Sequence, residues 1–76
     1  MVYVLELDGK EKLKIQFPKR INEEQWVIEE DELDTLDTTT HTFDDEEQAL
    51  FFMETRIEEL KEYGYTVNLE SKLTDD

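Results

Sequence analysis

The chain has 76 residues and a formal net charge of −14, from 22 acidic and 8 basic side chains. This length allows one domain with a thin core, and the charge argues against direct binding to nucleic acid or to an anionic membrane surface, because both require clustered lysine and arginine. With no cysteine, the chain has no disulfide and no thiolate metal ligand, which favours a reducing, cytoplasmic setting.

The acidic residues are concentrated in one part of the chain. Residues 1–20 carry a net charge of +2 and residues 21–76 carry −16, and between Arg20 and Arg56 there are thirteen carboxylates and no lysine or arginine. High net charge is typical of disorder when hydrophobicity is low, but here 37% of the residues are hydrophobic and they fall in patterned segments. We therefore expect one folded domain over residues 1–70 and a frayed acidic tail at residues 71–76.

The first predicted element is a β-hairpin with strands Val2–Leu7 and Lys12–Phe17, joined at Asp8-Gly9. Pro18 ends the second strand, because it has no N–H for the ladder. A two-residue loop would place Leu5 opposite a lysine and mix the two faces, whereas a three-residue loop separates apolar from charged side chains, as a half-buried sheet requires. We therefore predict the loop Asp8-Gly9-Lys10, with Leu7 opposite Glu11, Glu6 opposite Lys12, Leu5 opposite Leu13 and Tyr3 opposite Ile15.

Residues 21–43 allow more than one interpretation. Asn22 has the position of a helix cap, but the apolar residues that follow scatter around a helical wheel and are β-branched or aromatic, which favours a short strand at Gln25–Glu29. Asp31–Asp37 is typical of an acidic loop or a single helical turn. Thr38–Phe43 has strand propensity and little apolar content, and it predicts an edge strand or an extended connector.

The clearest element is a helix over Asp45–Tyr63, capped by Asp44 with Glu47 completing a capping-box-like pair. Gly64 stands where a left-handed C-cap is needed, and a last strand alternates apolar and polar residues over residues 65–70. The sequence predicts a small two-layer α+β domain, an antiparallel sheet with one long helix across it, in the order β-β-(β)-α-β. The apolar stripe of the helix consists of Ala49, Met53, Ile57 and Leu60.

The sequence lacks the residues that catalytic sites, metal sites and phosphate-binding loops require. The single serine, Ser71, falls in the predicted tail, and the single histidine, His41, lies among threonines, so we expect no enzyme. Asp31, Asp34 and Asp37 recur every three residues, but the ligand and glycine spacing of a calcium-binding EF-hand loop is absent. No glycine-rich loop is available to hold a phosphate. We expect no cofactor and no dedicated metal site.

What remains is the acidic surface itself. On the predicted helix, four glutamates lie opposite the apolar stripe, and Phe51 lies among them, as a binding anchor does within a charged rim. A second acidic cluster spans residues 29–37, and the two together approach the charge density of a nucleic-acid backbone if the fold brings them together. The predicted partner-binding residues are Glu29, Glu30, Asp31, Glu32, Asp34, Asp37, Glu47, Phe51, Glu54, Glu58 and Glu62.

Two functions are compatible with this surface. The first is an acidic inhibitor that occupies a basic surface of a partner protein, one that handles nucleic acid. In size and charge the chain resembles phage-encoded DNA mimics, including anti-restriction and anti-CRISPR proteins, and no motif ties it to one of these families. The alternative is a non-catalytic structural or assembly module, in which the acidity serves solubility and Phe51 or a strand edge joins a homodimer.

Overall fold

The computed structural model describes residues 1–70, and the predicted tail at residues 71–76 lies outside the described residues. In residues 1–70, one antiparallel sheet of six strands carries a single helix across one face, which confirms the predicted two-layer α+β fold. The observed order is β-β-β-β-β-α-β. Its elements are β1 (Val2–Leu7), β2 (Lys10–Gln16), β3 (Lys19–Asn22), β4 (Gln25–Glu32), β5 (Thr38–Phe43), α1 (Glu46–Glu62) and β6 (Thr66–Glu70).

The sheet is organised around β4. One side of β4 pairs with β5 over Trp26–Asp31, and the other side pairs with β2 over Glu30–Glu32 and with β3 over Gln25–Val27. The interruption between β2 and β3 contains Pro18, which cannot donate to a ladder. On the far side, β1 pairs with β2 and β6 pairs with β1, so α1 connects one edge of the sheet to the other.

The hairpin has a two-residue turn, and the predicted three-residue loop is wrong. Leu7 pairs with Lys10, and Asp8 and Gly9 have φ of 55° and 80°, as a type I′ turn requires. Further along, Leu5 pairs with Leu13 and Tyr3 with Ile15 as predicted, because a β-bulge shifts the register between Leu5 and Glu6. The predicted pairs Leu7–Glu11 and Glu6–Lys12 are therefore absent, since Glu6 lies opposite Glu11.

The segment around Trp26, for which the sequence allowed a helix or a strand, forms the strand β4. The run Trp26-Val27-Ile28 lies in β4, with Val27 and Ile28 both almost fully buried although they point to opposite faces. Because both faces of β4 are buried at these two residues, the apolar run is continuous there rather than alternating. The helix considered for residues 21–33 is therefore wrong, and β4 extends three residues beyond the predicted Glu29.

The helix and the sheet share one core. Ala49, Met53, Ile57 and Leu60, the predicted stripe, are all buried against the sheet. They meet the inward side chains of three strands, and Phe52 packs at the border of this cluster. The strand residues of the core are Leu5, Leu13, Ile15 and Ile28.

The ends of α1 are fixed by local hydrogen bonds. The N-cap is Asp45, whose Oδ1 accepts a hydrogen bond from the Gln48 N–H at 2.8 Å, so the predicted cap at Asp44 is displaced by one residue. At the other end Gly64 has φ of 98°, and the N–H of Tyr65 donates to the Leu60 carbonyl at 3.0 Å, which is the C-cap predicted for this glycine. Within residues 1–70, α1 is too short and too polar to cross a membrane.

Candidate partner-binding surface

The outward surface of α1 brings five of the predicted binding residues together. Because α1 buries its apolar stripe, the opposite side faces solvent, and every residue there is exposed. Phe51 is 73% exposed at the middle of this surface. We call this surface the acidic helix face, and it consists of Glu47, Phe51, Glu54, Thr55, Glu58 and Glu62.

The spacing of these carboxylates can be compared with that of a nucleic acid. From Glu47 to Glu62 the helix rises ~22 Å, a length over which duplex DNA carries roughly thirteen charges. The acidic helix face has four carboxylates in that length, and one of them, Glu58, accepts a hydrogen bond from Lys61 at 3.4 Å. The acidic helix face is therefore negatively charged like a phosphate backbone, but it carries fewer charges over the same length.

Two of the other predicted residues lie on the opposite side of the sheet. Side chains alternate along β4, and Glu30 points towards α1, so Glu29 and Asp31 point away from it. Asp31 also accepts a hydrogen bond from the hydroxyl of Thr38 at 2.6 Å. The sheet therefore separates these two carboxylates from the acidic helix face.

Three further residues lie at the end of β4 and in the turn that leads to β5. Glu32, Asp34 and Asp37 are exposed there. Asp34 accepts a hydrogen bond from Lys12 Nζ at 2.9 Å, and this hydrogen bond and the charge of the carboxylate raise the pKa of Lys12 above its ordinary value. Glu32 lines a cleft between β4 and α1 together with Glu59, so it extends the acidic surface around the C-terminal half of the helix.

Glu30 differs from the other ten residues because it is buried, with 7% of its surface exposed. Its carboxylate accepts hydrogen bonds from Arg56 Nε and Nη2, each 3.3 Å from Oε2, and its Oε1 lies 3.0 Å from His41 Nε2. Arg56 also forms an ion pair with Glu59 at 3.8 Å. A buried carboxylate needs such partners to offset its lost hydration, so the cluster fixes α1 to β4 and β5.

The cluster forms one wall of a cleft of about 530 Å³. Polar walls come from Glu30, Glu32, Thr39, His41, Arg56 and Glu59, and apolar walls come from Leu13, Phe52, Leu60 and Tyr65. The three carboxylates of this cleft outnumber its guanidinium and imidazole, so its net charge is negative. Its chemistry therefore suits a cationic group with an apolar stem.

The sequence interpretation did not identify Arg56 or this cleft. Arg56 is the first base after the base-free interval, and on a helical wheel it lies beside the apolar stripe, where a charged side chain needs a buried partner. This position beside the apolar stripe was the sequence signal that could have identified Arg56 as part of a buried ion pair. The identity of the partner depended on β4 being a strand with Glu30 on the helix side.

Most carboxylates of residues 1–70 have no counter-charge within that part of the chain. Residues 1–70 contain twenty of them, and only Glu30, Asp34, Glu58 and Glu59 lie within 4.0 Å of a described lysine, arginine or histidine nitrogen. Ordinary soluble surfaces intersperse both signs. In this part of the chain no cluster of three or more histidine, aspartate or glutamate side chains has the arrangement to hold a metal ion.

Comparison of the chain with protein-family models, with curated proteins and with solved structures finds no match.

Proposed function

We propose that this protein is a non-catalytic, acidic binding protein that occupies a basic, nucleic-acid-binding surface of a partner protein. The observation that carries the proposal is the unbalanced charge of the described chain, in which sixteen of twenty carboxylates lack a cationic partner among residues 1–70. A negative field of this kind attracts a lysine- and arginine-lined groove and accelerates association with it.

The acidic helix face is the proposed centre of contact. It combines carboxylates with the exposed ring of Phe51, and an aromatic side chain within a charged rim is typical of a binding hot spot. Because its carboxylates are sparser than phosphates, the partner groove would be held by a few ion pairs around an apolar anchor, with Glu32 and Glu59 extending the negative surface at one end.

A homodimeric assembly module is the alternative proposal, and the exposure of Phe51 is the observation that favours it. The charge of −14 per chain opposes it, because two such chains repel each other at low salt. Sedimentation at micromolar concentration separates the two: a dimer that Phe51→Ala converts to a monomer supports assembly, and a monomeric wild-type protein supports the acidic inhibitor.

The acidic-inhibitor proposal is tested by affinity capture from a nuclease-treated cell lysate. We expect the immobilised protein to retain basic nucleic-acid-binding proteins at about 50 mM NaCl and to release them at about 500 mM, where exposed charges are screened. Added duplex DNA or RNA should also release them, because it competes for the same groove. Retention that resists both salt and nucleic acid would contradict the proposal.

A matched pair of variants separates the acidic helix face from net charge alone. Replacement of Glu47, Glu54, Glu58 and Glu62 by glutamine should weaken binding to a captured partner by about tenfold or more. Replacement of Glu11, Glu23, Glu24 and Glu70, which are exposed elsewhere, changes net charge equally and should have a much smaller effect. Equal losses in the two variants would exclude the acidic helix face as the centre of contact.

A further inference from the structure

Strand β5 is an unprotected edge of the sheet. It pairs with β4 along all six of its residues, and its other side pairs with no strand among residues 1–70. Natural edge strands are usually short, bulged, or blocked by lysine or proline. The edge strand β3 has four residues and carries Lys19 and Arg20, and the edge strand β6 carries Glu70. In contrast, β5 has the sequence TTTHTF, with no lysine, arginine, acidic residue or proline and with a regular register.

The hydrogen bonds show which backbone groups of β5 face outward. The Glu32 N–H donates towards β5, to the Asp37 carbonyl at 2.8 Å, whereas the Leu33 N–H donates towards β2, to the Lys12 carbonyl at 2.9 Å. Backbone groups alternate in direction along an antiparallel strand. Extended through the observed register, this alternation directs the N–H and C=O groups of Thr38, Thr40 and Thr42 away from β4.

We infer that the β5 edge binds an extended, positively charged segment of the partner as an additional strand of the sheet. Such strand addition obtains its affinity from main-chain hydrogen bonds and its specificity from side chains. The three outward-facing threonines supply the main-chain groups, and β-branched residues favour the extended conformation that the added strand requires.

The charges around β5 select a basic occupant over a second copy of the chain. Asp37 precedes the strand, and Asp44 and Asp45 follow it. Two β5 strands can pair through their outward-facing groups in an antiparallel register centred on His41, with Thr40 of one copy opposite Thr42 of the other. In that register Asp37 of one copy would lie opposite Asp45 of the other at both ends. Like charges opposite each other destabilise a sheet, whereas lysine or arginine at those positions would stabilise it.

The chemistry of the cleft beside β5 also favours a positively charged segment of the partner. Thr39 and His41 point from β5 into this cleft, with Glu32 and Glu59 among its other walls. Alternate side chains of an added strand would lie on the same face of the sheet. A long basic side chain at such a position has carboxylates and the rings of Phe52 and Tyr65 in the adjacent cleft, and a cation interacts favourably with both.

This inference rests on the proposed function for the sign of the partner's charge, and two synthetic peptides test it separately. One is a capped octapeptide of alternating lysine and valine, and the other has proline in place of valine, so the two have equal charge. Proline cannot donate to a ladder. We expect the lysine–valine peptide to bind about tenfold more tightly, and we expect its binding to slow amide hydrogen exchange at Thr38, Thr40 and Thr42.

Equal affinity for the two peptides would overturn strand addition while leaving the charge-based proposal intact. Slowed hydrogen exchange on a strand other than β5, or a dimer of the protein that buries β5, would have the same consequence. A lack of binding by either peptide would also overturn it. The variant Thr40→Pro removes an outward N–H and leaves the ladder to β4 in place, so it should reduce lysine–valine binding to the level of the proline peptide. If this variant does not fold, the peptide pair with the wild-type protein still decides the outcome.

Discussion

Glu30 belongs to an acidic run of the sequence, but it is the one predicted binding residue that the fold buries. Its neighbours Glu29 and Asp31 point away from the helix, while its own carboxylate lies beneath α1 in contact with Arg56 and His41. The contacts satisfy the buried charge on both oxygens. One carboxylate within an acidic run therefore stabilises the fold, and its two neighbours are half-buried on the opposite face of the sheet.

Replacing Glu30 tests this structural role. Glu30→Ala should lower the free energy of unfolding by about 2–3 kcal/mol, because it leaves Arg56 without its buried acceptor. Glu29→Ala is the matched control on the other face of the same strand, and we expect it to change stability by less than about 0.5 kcal/mol. Urea denaturation measures both, and equal effects of the two substitutions would contradict the assigned role of Glu30.

Individual residues were predictable where their environment follows from local periodicity. The exposure of Phe51 follows from its position opposite the apolar stripe of a strongly periodic helix, and it was predicted. The pairing of Glu30 with Arg56 joins residues 26 positions apart, so it depends on how β4 and α1 pack. No local pattern contains that information.

At the scale of elements, the hairpin shows how two local rules combine. Asp8-Gly9 favours a two-residue turn, and the hydrophobic pattern favours Leu5 opposite Leu13. With a regular ladder the two are incompatible, which led to the prediction of a longer loop. The protein satisfies both with a β-bulge. The strand β3 was missed for a related reason, since its four exposed residues have no apolar alternation.

The N-terminus of α1 provides a prediction at this scale. Asp45→Ala should destabilise the protein by about 1 kcal/mol, because it removes the acceptor of the Gln48 N–H. Asp44→Ala, one residue earlier, removes the same charge but no capping hydrogen bond and should have a smaller effect. Chemical denaturation of the two variants distinguishes them, and a larger loss for Asp44→Ala would place the cap where the sequence alone suggested it.

At the scale of the whole molecule, the sequence predicted the layers but not the grouping of charges. The α+β class and the helix across the sheet follow from the periods of the apolar residues. The eleven proposed binding residues, however, fall into separate groups: the acidic helix face, the far side of β4, the turn before β5, and buried Glu30. The helical period places the glutamates of α1 on one face, but no period relates them to the carboxylates of β4, so the grouping across elements followed only from the topology.

The central claim is that the folded domain holds carboxylates together without counter-charges, and the dependence of thermal stability on salt tests it most directly. Screening relieves repulsion more in the compact folded state than in the expanded unfolded one. We predict that raising NaCl from about 20 to about 500 mM increases the melting temperature by at least about 4 °C, with a smaller increase for the variant with glutamine at Glu47, Glu54, Glu58 and Glu62. A melting temperature that stays constant or falls with salt would contradict the claim.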